Sequence, residues 1–377
     1  MALRYIFYMA NKKQKTDNSK KRKSNLSSPT EIVADFIAGM SSDKEVIKGL
    51  SSLSESHFRK KIRGVVSTQS ATLDAAIGRG GVPMSRITIL HGKEGSGKTT
   101  LALHLVAEAQ RRGGLGLYID KEYKLDPDYV ESLGVDSKRL FIPEEMKTLE
   151  DVIPQIKATL RRAKEIRKKT KNPVPIVIVI DSLNACKAFE TIETPTGKKR
   201  YPAEARIWSE ELPGIVDMLS EEYVSLVFIS QVRKKMNVQF GNDEEMAGGF
   251  APRFFASLII YIARTGTEKD ANKNKTGSKI ETECRKNQIS PPFKKADFVI
   301  YWSRGIDYEH SLVLQLEKLG IAKKMAKTKT RKAGIVIGEK VIGRTHVKSA
   351  ENIRKNPKLR EKLRKILHKR MKWDDPI

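Results

Sequence analysis

The chain has 377 residues, 39% of them hydrophobic, which suits a soluble protein of two or three domains with at least one large core. It carries 72 Lys and Arg against 45 Asp and Glu, a formal net charge of +27; such a surplus favours a polyanionic partner, the plain alternative being a basic, soluble enzyme with a solvated surface. Two distant cysteines, Cys186 and Cys284, exclude a disulfide framework and zinc-finger spacing and point to a reducing, cytoplasmic setting, and no apolar run is long enough to span a bilayer.

The opening "MALRYIFYMA" is apolar, but Lys-rich sequence follows it without a cleavage-site pattern, and Met9 is an alternative start. Residues 1–29 are expected to be a disordered basic arm, with "KKRK" (Lys20–Lys23) reading as a nuclear signal or a DNA-touching tail. "SSPTEIVADFIAGM" has a helix start signal and helical apolar spacing, so residues 30–63 are expected to form a small helical oligomerisation element.

Over residues 64–305, β-like apolar runs alternate with helical patterns. The runs are "RITILHG", "LGLYID", "IVIVIDS", "SLVFISQ", "ASLIIYIA" and "ADFVIYW"; the helices include "TTLALHLVAEAQRR", "LEDVIPQIKATLRRAKEIRKK" and "AEARIWSEELPGIVDMLSEE". This alternation predicts an α/β fold with a mostly parallel twisted sheet covered by helices on both faces. The basic stretch "RRAKEIRKKTK" reads chiefly as a solvated helix face. Residues 306–377 change character: "SLVLQLEKLGIAKK" reads as helix, "MAKTKTRKAGIVIGEKVIG" as a hairpin with a basic lead and "SAENIRKNPKLREKLRKILHKR" as a basic helical end. They are expected to make a small basic C-terminal α/β domain.

"GKEGSGKTT" (Gly92–Thr100) matches G-x-x-x-x-G-K-[ST], follows a predicted strand and opens a predicted helix. Gly92, Gly95 and Gly97 let the backbone curl, so that its N–H groups, with Lys93, Glu94 and Ser96 between them, face an anion at a helix N-terminus. Lys98 supplies a point charge for β- and γ-phosphates, Thr99 a hydroxyl for Mg²⁺, and Thr100 closes the motif. A Gly-rich turn alone does not explain the Lys-Thr pair. "IVIVID" ends in Asp181, the usual second Mg²⁺ carboxylate of such a site. "LGLYID" ends at Asp120, and Glu122 two residues on is placed to orient and deprotonate an attacking water; the plain alternative is a surface glutamate.

With these residues in place, several blocks in order resemble the bacterial and bacteriophage RecA recombinases. They are "STQSATLDAAIGRGGVPMSRITILHGKEGSGKTTLALHL", "YIDKEYKLDPDYVESLGV", "VIDS", "ISQVRKKMNVQFGN", "GG", "FFAS" and "NQISPPFKKADF", spanning roughly Val65 to Asp307. The resemblance implies a RecA-like P-loop NTPase core and an ATP- and Mg²⁺-dependent helical filament. The filament would form on single-stranded DNA, pair it with homologous double-stranded DNA and exchange strands, aided by single-strand-binding and loader proteins. It implies catalytic roles for Glu122, Glu94, Lys98 and Gln231, the last as γ-phosphate sensor; the plain alternative for Gln231 is a strand cap. Asp126, Tyr129 and Trp302 fall near the adenine, and Tyr129 can stack on a purine.

Gln231 begins "QVRKKMNVQFGNDEEMAGG", read as a long loop after a buried strand. By resemblance Arg233, Lys234 and Lys235 contact phosphates, Met236 wedges between bases, and Gly248 and Gly249 let backbone N–H groups approach DNA, while Phe250 departs from a polar residue there. A first DNA loop, Phe189–Arg206, carries Tyr201 as wedge and Arg206 as basic contact, with extra Lys198, Lys199 and Arg200; the alternative is a flexible insertion.

Two further departures stand out. The family's K-x-K reaches a neighbour's ATP across the filament interface; here "RKNQIS" keeps Lys286 but puts neutral Gln288 at the second position, which predicts weaker cooperativity or slower hydrolysis unless Arg285 substitutes. The end "LREKLRKILHKRMKWDDPI" is basic where bacterial members often carry an acidic tail, which predicts stronger duplex binding. A hexameric helicase-like motor and a non-catalytic single-stranded DNA-coating protein are the alternatives. The intact set Lys98, Thr99, Glu122, Asp181 and Gln231 argues against the second.

Overall fold

The run Arg86–Gly92 is buried from Ile87 onward, as a strand covered on both faces is, and it lies in the middle of the main sheet. The structure, a computed structural model, describes residues 63–170, 174–193, 203–234, 244–246, 249–270, 272–326, 333–338 and 340–373, with backbone alone for 233–234 and 244–246. The predicted basic arm and nearly all of the predicted 30–63 element lie outside the described residues.

The strands are β1 Val65–Val66, β2 Val82–Pro83, β3 Arg86–Gly92, β4 Leu115–Asp120, β5 Leu140–Phe141, β6 Ile176–Asp181, β7 Val224–Lys234, β8 Glu244–Met246, β9 Leu258–Lys269, β10 Lys275–Asn287, β11 Lys295–Tyr301, β12 Gly305–Ile306, β13 Ala322–Met325, β14 Gly334–Ile337 and β15 Lys340–Gly343. The helices are α1 Ala71–Ile77, α2 Lys98–Arg111, α3 Pro127–Ser132, α4 Leu149–Lys169, α5 Phe189–Glu193, α6 Ala203–Ser220, α7 Phe250–Phe255, α8 Tyr308–Lys318, α9 His346–Arg354 and α10 Pro357–Met371.

The main sheet runs β12-β11-β10-β9-β3-β7-β6-β4-β5, with β8 added to β7. Strands β9, β3, β7, β6, β4 and β5 pair in parallel, while β9 to β12 pair antiparallel. The sheet is α/β and parallel through its centre, as expected. The long β9–β10 hairpin was not legible in sequence, because its outer residues are polar and its strands are defined by their pairing.

Alternate residues of the sheet feed two apolar clusters. Leu90, Tyr118, Val179 and Ile260 pack with Leu101 and Leu105 of α2 on one face, whereas Ile89, Ile119, Ile178 and Phe228 pack with Ile153 and Ile156 of α4 and Trp208 of α6 on the other. The α4 stripe Leu149, Val152, Ile153, Ile156, Leu160 and Ala163 is buried at helical spacing, and each full burial of such a side chain contributes about 1.5–3 kcal/mol. The outward residues of "RRAKEIRKK" stay exposed, which agrees with a solvated face.

Residues after Asp307 gather around their own apolar cluster, with Leu312, Leu316, Ile335, Ile353, Leu363 and Leu367 at its centre and Ala71 of α1 against it. The helix predicted through "GIAKK" ends earlier. Gly320 takes φ 70°, a left-handed turn that stops α8, and Ala322–Met325 becomes β13. The predicted hairpin is β14–β15, and its basic lead at residues 327–332 lies outside the described residues. The basic end breaks into α9 and α10 at Asn356, whose side chain caps α10 beside Pro357. Among the described residues, no helix is long and apolar enough to cross a membrane.

Candidate functional site

Four parallel strands deliver the site from their C-terminal ends, where ligands of open α/β sheets bind. Strand β3 ends at Gly92, and Gly92 lies in register beside Gln231 of β7. Asp120 at the end of β4 lies in register beside Asp181 at the end of β6.

The Gly92–Thr100 loop passes into α2 through Gly97, at φ 94°. A Cβ on Gly97 would come within 2.5 Å of Ile300 Cδ1, and one on Gly92 within 2.2 Å of the Ile262 carbonyl oxygen, so both must be glycine. Lys98 is 7% exposed and donates from Nζ to the carbonyls of Gly92 at 3.0 Å and Lys93 at 2.7 Å. Burial pulls its pKa down, against the pull of Asp181, Glu122 and Glu94.

Asp181 Oδ2 accepts from Thr99 Oγ1 at 2.8 Å and from Tyr118 OH at 2.7 Å. Burial raises the Asp181 carboxyl, and those two donors only partly offset it. Glu122 is the hub. Its Oε1 accepts from Ser182 Oγ at 2.5 Å and from Gln231 Nε2 at 2.9 Å; its Oε2 accepts from Lys124 Nζ at 2.7 Å. Burial pushes Glu122 up, but the hydrogen bonds from Lys124 and Ser182, with the charges of Lys124 and Lys98, outweigh it and hold the carboxyl below its ordinary value. Asn184 Oδ1 accepts from the Gln231 backbone N–H at 2.9 Å.

The other predicted residues are more scattered. Glu94 is exposed and 3.8 Å from Lys124 Nζ. Asp126 caps α3 by accepting from Tyr129 N at 2.8 Å, and Tyr129 OH lies 2.8 Å from Thr100 Oγ1, which ties α3 to the first turn of α2. Trp302 is 48% exposed, two residues past the Ile300 that faces Gly97. Lys286 is not in this cluster: it sits at the opposite, N-terminal end of β9 and donates to the Arg253 and Phe254 carbonyls at 2.9 and 2.8 Å. Gln288 lines a surface cleft beside it with Phe254 and Arg86.

Beyond Gln231, β7 does not give way at once to a loop. Val232, Arg233 and Lys234 pair with Met246, Glu245 and Glu244 of β8, which satisfies backbone groups that would otherwise face solvent. Lys235, Met236, Gly248 and Tyr201 lie outside the described residues, as do Lys198, Lys199 and Arg200. Gly249 takes φ 74° and ψ −156°, and a Cβ there would meet Ala205 Cβ at 2.7 Å, so this end of the segment presses against the start of α6. Phe250 is 74% exposed, with its ring centroid 5.9 Å from that of Phe254. Arg206 pairs with Glu190 at 3.0 Å on the surface.

The family model for the RecA N-terminal domain matches residues 41–307. The Protein RecA of Rubrobacter xylanophilus is 35% identical over 306 residues, covering 81% of this chain and 84% of its own. That of Thermus thermophilus is 34% identical over 307 residues, covering 81% and 85%, and that of Rickettsia africae 37% over 305, covering 81% and 84%.

The chain belongs to the RecA family.

Membership carries an ATP- and Mg²⁺-using, DNA-dependent ATPase of DNA recombination and repair, built on the RecA-like α/β core described above. The residues fit the nucleotide and metal. Ser96 Oγ is buried in the loop without a hydrogen-bond partner among the described residues, and two glycines there leave no room for a side chain. Thr99 and Asp181 offer one hydroxyl and one carboxylate, the sparse set that suits Mg²⁺, which keeps waters and phosphate oxygens as its other ligands.

Sequence reasoning missed Tyr118, Ser182, Asn184 and Lys124. A signal existed for the first: Tyr118 is the one side chain in the apolar run of β4 with a hydroxyl to satisfy. The others act through loop geometry that no sequence pattern announces.

Proposed function

We propose that this RecA-family chain couples the nucleotide state of its P-loop site to DNA handling through Gln231. The observation that carries the reading is the Gln231 amide on Glu122 at 2.9 Å, from a strand that lies beside Gly92 and continues into the segment ending at Gly249. With a triphosphate in the site, the amide has a second acceptor to choose, and its choice sets the path of β7 beyond it. Glu122, whose carboxyl Lys124 and Ser182 hold below its ordinary value before nucleotide enters, orients the attacking water and takes its proton. Lys98 exchanges loop carbonyls for phosphate oxygens. Thr99 and Asp181 would hold Mg²⁺, which would supply positive charge to offset that of the phosphates. Asp126, Tyr129 and Trp302 line the base.

Arg206, Arg233, Lys234 and Lys235 supply DNA phosphate contacts, Tyr201 and Met236 apolar wedges, and Gly248, Gly249 and Phe250 the closing backbone. Contacts of this kind leave base edges free, as homologous pairing between two DNA molecules requires. Lys286, at the far end of the sheet from its own P-loop, serves the nucleotide of the next subunit in an open, heterologous filament. Single-strand-binding and loader proteins, and a cytoplasmic setting, complete the proposal.

The test is DNA strand exchange by the full chain and by Lys98→Ala, with electron microscopy in ATP analogue and single-stranded DNA. Exchange and open helical filaments that fail in Lys98→Ala support the reading. Closed rings, or exchange unaffected by Lys98→Ala, contradict it.

A further inference from the structure

The loop leaving β4 is built around one carboxylate. Asp120 accepts the backbone N–H groups of Glu122 at 3.1 Å, Lys124 at 2.9 Å and Leu125 at 3.1 Å. Tyr123 takes φ 53°, in the left-handed region that a bulky residue seldom enters. The chain therefore winds back over its own strand end, and the turn separates its two lysines. Lys121 donates to the carbonyls of Met146 and Lys147, away from the P-loop. Lys124 points the other way: its Nζ lies 2.7 Å from Glu122 Oε2 and 3.8 Å from Glu94 Oε1. One ammonium thus spans the acid of the P-loop and the acid at the end of β4.

We propose that Lys124 is a substrate-touching cation of the nucleotide site, which leaves Glu122 for the terminal phosphate when a triphosphate binds. The inference rests on the nucleotide-site reading above and goes beyond it, because that reading gives Lys124 only the task of holding Glu122. A carboxylate offers the ammonium one negative charge shared over two oxygens; a terminal phosphate offers more charge and three oxygens. The Lys124 side chain is 61% exposed, so re-aiming it displaces no packing. The exchange has two consequences. Glu122 Oε2 is released to accept from water, while Oε1 stays held by Ser182. A diphosphate lacks the terminal group, so the contact discriminates ATP from ADP.

The experiment measures equilibrium affinity of the full chain for a fluorescent non-hydrolysable ATP analogue and for fluorescent ADP, in wild type, Lys124→Ala, Lys124→Arg and Lys98→Ala. Lys124→Ala should weaken the analogue about 3- to 10-fold and ADP less than about 2-fold, with Lys124→Arg returning the analogue to within about 2-fold of wild type. The KM for ATP in the DNA-dependent ATPase should rise in step. Equal losses for both nucleotides, no loss for either, or no rescue by arginine would overturn the role of Lys124 while Lys98→Ala still abolishes binding. Wild-type affinity in Lys98→Ala would instead overturn the nucleotide site itself.

Discussion

Replacing Asp74 by asparagine should make the folded chain more stable at pH 8 than at pH 5, relative to wild type. Asp74 lies in α1, 3% exposed, and accepts from Ser67 Oγ at 2.6 Å, Thr68 N at 2.9 Å and Thr68 Oγ1 at 2.7 Å. Burial raises its carboxyl from 3.8 to about 7; the three donors pull it back without cancelling that effect, and Glu108 adds to the rise. The folded chain therefore keeps a proton that the unfolded chain has released. Its stabilising contribution is complete below pH 3.8 and is lost as pH climbs through about 7. The whole loss is about 4 kcal/mol, of which about 3 kcal/mol falls between pH 5 and pH 8.

His104 works in the opposite sense. Burial lowers it from 6.5 to about 4, and its neutral Nε2 accepts from Ile306 N at 2.9 Å, so its contribution grows as pH rises over that interval. The difference between the wild-type and Asp74→Asn urea transitions cancels this term. It should move in favour of Asp74→Asn by about 3 kcal/mol from pH 5 to pH 8. A difference that is flat or of opposite sign over that range would refute the reasoning.

Gly249→Ala combines a left-handed φ with a Cβ 2.7 Å from Ala205, and should cost about 1–3 kcal/mol and weaken single-stranded DNA binding; thermal melting and fluorescence anisotropy check the two effects. Tyr118→Phe removes a 2.7 Å donor from Asp181 and should weaken Mg²⁺-dependent nucleotide binding by about 10-fold, read by titrating Mg²⁺ at fixed nucleotide. Lys362→Gln with Lys365→Gln neutralises two exposed lysines of α10. Duplex affinity should fall and the salt slope shrink by up to about 2, whereas an unchanged slope would mean that α10 does not meet DNA.

The residues that sequence located best are those at the ends of buried strands. Lys98, Glu122, Asp181 and Gln231 each follow an apolar run, and parallel pairing brings such ends to one edge whatever the surrounding loops do. Lys286 was legible as a residue but not as a place: its position at the far end of the sheet follows from the β9–β10 register, a long-range property. Lys124 was invisible for another reason. Its direction is set by the left-handed Tyr123 and by three backbone hydrogen bonds to Asp120, and neither leaves a composition or a period in the sequence. The same holds for α8, where the apolar spacing of the sequence continues past the point at which Gly320 turns the chain.

The coupling through Gln231 is tested most directly by the affinity for single-stranded DNA, measured with ATP analogue and with ADP, in wild type and in Gln231→Ala. Wild type should bind DNA more tightly with the analogue, and Gln231→Ala should bring the two affinities within about 2-fold while nucleotide affinity itself changes less than about 3-fold. A Gln231→Ala protein that keeps the wild-type ratio between the two nucleotide states would contradict the account.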